Sequence, residues 1–293
     1  MTTHAPLATM LAVALLGAPA YAQDIFVFDV ATSNGRITLS NGRNTTARQG
    51  YDNQPYFTAD SKAFLFASQR GRLNDVYEYV LASGEIRQVT DTPDIPEYSP
   101  VPDADNRSVT VVRENTVPDQ TVWRVAKDTG ESEWMLTSRE PIGYYAVNDD
   151  GYALLWVRYA FAMHLKSPGD GETRFITGNA APSAPKIIPG SDDFSFVHRQ
   201  GNGQTWIKRL EPETLAVTPI APLPGTQIDY AWTPDGTIVA GRDSILFQWK
   251  PGESSEWLEL ASLADDGLRD ISRVAVSPDG RKIAIVAADA TGY

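Results

Sequence analysis

The sequence predicts an all-β fold: a six-bladed β-propeller of four-stranded antiparallel blades, the last blade closed by the N-terminal strands. Three observations predict it. A Pro-Asp-Gly turn motif recurs six times, the same short apolar segments follow in the same order, and the chain ends are complementary half-repeats.

The clear copies of the turn are Pro234-Asp235-Gly236 and Pro278-Asp279-Gly280. Degenerate copies are Ala59-Asp60-Ser61, Pro102-Asp103-Ala104, Asp149-Asp150-Gly151 and Gly190-Ser191-Asp192. With Asp60, Asp103, Asp150, Asp192, Asp235 and Asp279 as markers, the spacings are 43, 47, 42, 43 and 44. That period is one propeller blade. Asp and Gly tolerate positive φ and so close a tight hairpin between the first two strands of each blade.

The first full repeat predicts strands over Gln54–Thr58, Phe64–Ser68, Val76–Leu81 and Ile86–Thr90, rich in aromatic and β-branched residues. Third strands tend to open on a small polar residue, as in Asp75-Val76, Thr121-Val122, Thr205-Trp206 and Ser244-Ile245. Fourth strands tend to end in Thr or Ser, as in Val89-Thr90, Leu136-Thr137 and Ile176-Thr177. The chain begins within a repeat, with a third strand (Ile25–Val30) and a fourth (Arg36–Ser40). It ends within one, with a first strand (Arg273–Ser277) and a second (Lys282–Ala287). Joined, the halves make one blade and remove two exposed sheet edges. No linker or compositional break marks a second domain in residues 23–293.

Residues 1–22 read as a cleaved signal peptide. The apolar run Leu7–Ala18 is too short to span a bilayer, and Ala20-Tyr21-Ala22 is a small-x-small cleavage pattern ahead of Gln23-Asp24. The leading segment carries His4 but no Lys or Arg, so the amino terminus must supply its positive charge. The chain has no cysteine, which excludes disulfides, thiolate metal sites and a lipidated N-terminal Cys. The expectation is a soluble periplasmic or secreted monomer with no membrane span. A net charge of −12 argues against nucleic acid and anionic membrane surfaces as partners.

These motifs resemble the TolB-like propeller family, whose repeat combines a Trp or Tyr, Ser-Pro-Asp-Gly, a strand ending Ser-x-Arg, an Ile-Tyr strand and a strand ending Leu-Thr. The matching stretches are Trp232-Thr233-Pro234-Asp235-Gly236, Ser277-Pro278-Asp279-Gly280, Ser68-Gln69-Arg70, Asp75-Val76-Tyr77 and Gln88-Val89-Thr90. The resemblance covers nearly all of residues 23–293 and implies architecture, not activity. TolB also has an α/β domain ahead of its propeller, for which this sequence has no room. A related peptidase group follows such a propeller with a hydrolase domain; no Gly-x-Ser-x-Gly nucleophile motif occurs here.

Candidate chemistry lies where the chain leads into the first strands: Asn53, Gln54, Glu97, Tyr144 with Tyr145, Asp229 and Asp270. In a propeller these positions ring one channel mouth. Their oxygens could converge on a hard cation, and six-bladed lactonases with a channel-bound Ca²⁺ make Ca²⁺ the one cofactor to consider. Otherwise the carboxylates are solvated or hydrogen-bonded to loop amides. Arg70, Arg113, Arg158, Arg199 and Arg242 recur at the ends of second strands, on the same face. They would either grip a partner's carboxylates bidentately or tie their own loops to neighbouring acids. His164 and His198 fall on different blades and read as strand or surface residues. Trp123, Trp156, Trp206, Trp232, Trp249 and Trp257 read as inter-blade packing, and Gln200-Gly201-Asn202-Gly203 as a hairpin turn.

Two functions follow. The first is a binding scaffold for a protein or peptide of the cell envelope, with no catalytic residue. The second is a metal-assisted hydrolase or lyase that uses the channel carboxylates.

Overall fold

A computed structural model of the chain describes residues 23–289 apart from 117, 118 and 170. The signal peptide expected over residues 1–22 lies outside the described residues. Twenty-four strands form six four-stranded antiparallel sheets. The chain enters through β1 (Gln23–Ser33) and β2 (Arg36–Asn44). Blade one holds β3 (Asp52–Phe57), β4 (Ala63–Ser68), β5 (Asp75–Val80) and β6 (Ile86–Gln88). Blade two holds β7 (Glu97–Pro102), β8 (Ser108–Thr116), β9 (Asp119–Ala126) and β10 (Ser132–Leu136). Blade three runs from β11 (Ile142–Val147) and β12 (Ala153–Val157) to β13 (Ala162–Lys166) and β14 (Thr173–Thr177). Blade four comprises β15 (Lys186–Ile187), β16 (Phe194–Arg199), β17 (Thr205–Leu210) and β18 (Val217–Pro222). Blade five comprises β19 (Tyr230–Trp232), β20 (Ile238–Arg242), β21 (Ile245–Trp249) and β22 (Leu258–Ser262). The chain leaves through β23 (Leu268–Val276) and β24 (Lys282–Asp289).

The two ends complete the sixth blade, in the order β2-β1-β24-β23. The first seven residues of β1 pair with β24, from Gln23 opposite Ala288 to Asp29 opposite Lys282. Alternation along β1 then joins two neighbours at once. Ile25 and Val27 face blade one, where Phe64, Phe66 and Tyr77 receive them. Phe26 and Phe28 face blade five, against Val239 and Leu246. Successive side chains point to opposite faces of a strand, so one apolar run serves two interfaces. The same logic explains β12, where Leu155 and Val157 pack toward blade two. Leu154 and Trp156 pack toward blade four. A second strand buried on both faces reads as a continuous apolar run, as Ala63–Ser68 and Ala153–Val157 do.

The hairpins explain the Asp-Gly motif. In blade one the Thr58 hydroxyl donates to Asp60 at 2.7 Å, and the Lys62 amide donates to the same oxygen at 3.1 Å. Ser277 and Arg281 repeat this around Asp279 at 2.6 and 3.0 Å. The residue that follows needs positive φ, and Ser61 and Gly280 supply it. In two blades the marker shifts. The turn bond runs from Asn106 N to Asp103 O and from Ser191 N to Ile188 O, as it runs from Ser61 N to Thr58 O. Asp103 therefore matches Thr58, and the turn position falls on Asp105. In blade four it falls on Gly190, two residues before Asp192. Blade two keeps the blade-one arrangement, with Asp105 accepting from the Arg107 amide at 3.0 Å and Asn106 left-handed, whereas in blade four Gly190 is left-handed and the Ser191 hydroxyl accepts from the Asp193 amide at 3.3 Å.

Candidate functional site

Once the turns are aligned by their hydrogen bonds, the residue six positions before each turn falls on the innermost strand or the loop leading into it. Around the ring these are Gln54, Ser99, Tyr144, Ala184, Asp229 and Arg273, and all six line the central channel. Gln54 and Ser99 have φ of 58° and 52° and lie in register breaks of β3 and β7. A bulge bends its strand and re-aims a side chain, here into the channel. Pro55, Pro100 and Pro185 come next in chain order, so three innermost strands lose a free-edge donor just beside the ring.

The ring is cross-linked. Ser99 N donates to Gln54 Oε1 at 2.7 Å, and Val274 N donates to Asp229 Oδ2 at 2.9 Å. Asp229 Oδ1 accepts the Ser183 hydroxyl at 3.3 Å and lies 3.6 Å from Lys186 Nζ. Arg273 reaches from the closing blade to blade three, where its Nη2 donates to the Tyr144 hydroxyl at 2.9 Å. Burial opposes the charge of Arg273, yet Tyr144, Asp229 and Tyr51 around it outweigh that and hold the guanidinium protonated more firmly than usual. Burial pushes the Tyr51 hydroxyl well above the usual phenol range. Both groups keep their ordinary charge at neutral pH.

Gln54 and Tyr144 line cavities on both sides of the ring and so form the wall between them. The larger cavity, about 640 Å³, opens among the hairpin turns, with Ala59, Ala104, Asp149, Pro189, Pro234 and Pro278 at its rim. Val101, Val147, Ile187, Ala231, Val274 and Val276 are among its wall residues, and Lys186, Asp229 and Arg273 lie at its floor. The smaller cavity, about 290 Å³, opens among the loops that cross between blades and is lined by Tyr51, Tyr98, Glu114, Gln120 and Arg158.

Solved structures share this architecture. A putative TolB from Agrobacterium tumefaciens matches with a TM-score of 0.67 at 15% identity, over 92% of this chain and 98% of that one. TolB from Acinetobacter baumannii matches with a TM-score of 0.57 at 11% identity, over 91% of this chain and 64% of that one. The chain has the TolB-like propeller fold. Oligogalacturonate lyase from Vibrio parahaemolyticus also matches, with a TM-score of 0.56 at 16% identity over 88% of this chain and 84% of that one. At these identities the likeness carries the fold alone. No protein-family model matches the chain, and no curated protein does.

On this TolB-like frame the residues singled out in sequence separate into groups. Gln54, Tyr144 and Asp229 belong to the channel ring. Asn53 is buried beside it, its Nδ2 donating to Gln23 Oε1 at 2.8 Å. Asp270 is exposed at a left-handed position of β23. Glu97 and Arg113 are sealed together. They face each other across β7 and β8, with Arg113 Nε 2.8 Å from Glu97 Oε1 and side-chain exposures of 9% and 0%. Thr92 donates to the same carboxylate at 3.1 Å, and Arg113 donates to the Ser132 hydroxyl at 2.8 Å. This pair presents no charge to a channel mouth.

The other arginines differ among themselves. Arg70 lies over the Tyr77 ring at 5.0 Å, and Arg242 over the Phe247 ring at 4.6 Å. Arg158 stands 3.6 Å from Glu114 and lines the smaller cavity, while Arg199 is exposed. Among the described residues, no three His, Cys, Asp or Glu side chains gather closely enough to hold a metal ion. Glu97 and Asp229 do not converge, each being held by its own partners. The histidines stand apart, and burial lowers the pKa of both His164 and His198. Ser99, Lys186 and Arg273 are channel residues that no motif in the sequence marks. Counting back six residues from a correctly aligned turn finds Ser99 and Arg273. Lys186 lies two residues past the ring alanine of its blade.

Proposed function

We propose that the chain is an exported binding module, carried to the periplasm or beyond by residues 1–22, which takes a protein or peptide of the cell envelope into the hairpin-side cavity. The observation that supports this reading is a cavity of about 640 Å³ with an apolar wall and a few fixed polar groups at its floor. Ligand sites combine those two features: apolar area for affinity and a few placed polar groups for orientation. Among the described residues no helix is long and apolar enough to cross a membrane.

A metal-assisted hydrolase or lyase with channel-bound Ca²⁺ is the second reading, and the fold shared with oligogalacturonate lyase supports it. Against it, Glu97 is spent on Arg113 and Asp229 on the Val274 amide.

Affinity capture from periplasmic extract tests the choice, with wild type, Ala104→Trp and Arg199→Ala compared with and without chelator. Ala104 is exposed at the rim of the larger cavity, so a tryptophan there narrows the opening without entering the core. The binding-module reading expects capture by wild type and Arg199→Ala, indifferent to chelator, and loss with Ala104→Trp. Loss with Arg199→Ala instead would move the site to the crossover-loop mouth. Loss with chelator would favour the metal-dependent reading.

A further inference from the structure

The floor of the larger cavity has more positive charge than its own chain uses. Arg273 carries five N–H donors, and one bond is accounted for, to the Tyr144 hydroxyl. Among the described residues no carboxylate oxygen lies within 4.0 Å of the guanidinium. Lys186 is held loosely, 3.6 Å from Asp229 Oδ1, while both Asp229 oxygens already accept hydrogen bonds from Ser183 and Val274. Asp229, whose hydrogen bonds are largely made, is the acid that acts on both cations, while Asp103 pairs with Arg124 and Asp149 is exposed at the rim, in a chain of net charge −12. A partly buried cation without an anion is costly, and the cost falls when a ligand anion completes the site.

The shape of the cavity says which anion. Its inner end is narrowed by Gln54 and Tyr144, which also line the smaller cavity beyond, and by the Arg273–Tyr144 hydrogen bond across the channel. A cavity narrowed in this way takes a chain end more readily than a passing loop. The wall is aliphatic and proline-rich, with Val101, Val147, Ile187 and Val276 above the floor, and fits apolar side chains better than hydroxyl-covered sugar. Pro55, Pro100 and Pro185 remove edge donors beside the ring, which disfavours pairing a ligand strand onto the innermost strands. Ala184 leaves one sector of the ring open, between Tyr144 and Asp229 in blade order.

From these observations we infer that the cavity floor receives the C-terminal carboxylate of an extended peptide with an apolar last residue, gripped by Arg273 and seconded by Lys186. Guanidinium and carboxylate match as a two-pronged, charge-assisted pair. The inference rests on the binding-module reading and specifies its ligand.

The test uses the mature protein and three probes in titration calorimetry: the peptide Ac-Ala-Ala-Pro-Val as free acid, the same peptide as C-terminal amide, and trigalacturonate as a carboxylate on sugar. The free acid is expected to bind, and the amide at least about tenfold more weakly, since it lacks the charge-assisted bonds. Arg273→Gln should abolish the preference for acid over amide, Arg273→Lys should retain part of it, and Lys186→Gln should reduce it. Melting curves of each variant separate loss of binding from loss of fold, and Lys186→Gln keeps the test open if Arg273→Gln does not fold. Equal binding of acid and amide, an undiminished preference in Arg273→Gln, tighter binding of trigalacturonate, or no binding of the acid would each overturn the assignment. If a captured envelope protein still binds Arg273→Gln through the hairpin mouth, the carboxylate assignment falls and the binding-module reading stands.

Discussion

Arg273 donates a 2.9 Å hydrogen bond to the Tyr144 hydroxyl from the opposite side of the channel, linking the blade that closes the ring to the blade facing it. Its guanidinium carbon also stands 5.6 Å from the Tyr144 ring centroid. One contact therefore braces the ring across its diameter and holds a cation at the cavity floor. Tyr144→Phe keeps the ring and removes the acceptor. A hydrogen bond to a charged group contributes about 1.5–3 kcal/mol, so the variant should lose about 1–2 kcal/mol in urea unfolding, water recovering part of the difference. An unchanged midpoint and slope would mean the contact contributes nothing to stability.

The Glu97–Arg113 pair makes an opposite prediction for two residues that look alike in sequence. Glu97 is wholly buried, and its Oε2 has no hydrogen-bond partner among the described residues. Removing one member of a buried pair strands the other charge and costs about 3–5 kcal/mol, while replacing both with apolar residues costs much less. Arg113→Met should therefore lower stability sharply, and Glu97→Leu combined with Arg113→Met should recover most of it. Partner capture by the folded double variant should equal wild type. Weakened capture without a loss of stability would return Arg113 to a binding role.

The fold was legible because each blade repeats a physical necessity: a positive-φ turn, two-faced apolar strands, and ends that must pair. The site was half legible. Gln54, Tyr144 and Asp229 stood out as polar residues near the innermost strands. Arg273 looks in sequence like the start of a strand, and Ser99 carries no signal of its own. The Asp markers misled in two blades, where Asp103 and Asp192 stand two residues from the turn positions held by Asp105 and Gly190. The burial of charged residues was not legible. Glu97 and Arg113 show the right spacing for a mouth of charges, and only the register of β7 on β8 reveals that they face each other under Thr92 and Ser132.

The turn carboxylates predict an acid limb of stability. Asp60 has a lowered pKa, chiefly through the Thr58 hydroxyl. At Asp235 and Asp279 burial is the largest influence and acts in the other direction, but the hydroxyls of Thr233 and Ser277 together with Lys250 and Arg281 outweigh it, so these too are lowered. A carboxylate with a depressed folded pKa takes up its proton later than in the unfolded chain. As pH falls from about 4, the unfolded state binds more protons. The stabilisation is thus full above the unfolded value and is lost as pH drops through the folded ones. Asp60→Asn combined with Asp279→Asn should flatten the fall in melting temperature between about pH 4 and pH 2. An acid limb as steep as in wild type would place its origin in other carboxylates.

Closure of the ring predicts the largest effect from a short segment. Residues 24–40 carry Ile25, Phe26, Val27 and Phe28, all buried, and they serve the interfaces on both sides of the sixth blade. Losing a buried large aliphatic or aromatic side chain costs about 2–5 kcal/mol. Four of them together approach or exceed the whole stability of an ordinary domain, about 5–15 kcal/mol. Deletion also strips β24 of its partner from Asp24 to Asp29, leaving an open, apolar edge next to β23. The deleted chain should show no cooperative melt and should associate through that edge. Phe28→Ala gives the graded version, with an expected loss of about 3–5 kcal/mol while the β1–β24 ladder stays in place. Circular dichroism melts and size-exclusion chromatography measure both variants. A deleted chain that stayed monomeric and melted at the wild-type temperature would show that blades one to five hold together without the closing strands. The ring would then owe its stability to neighbouring blades alone.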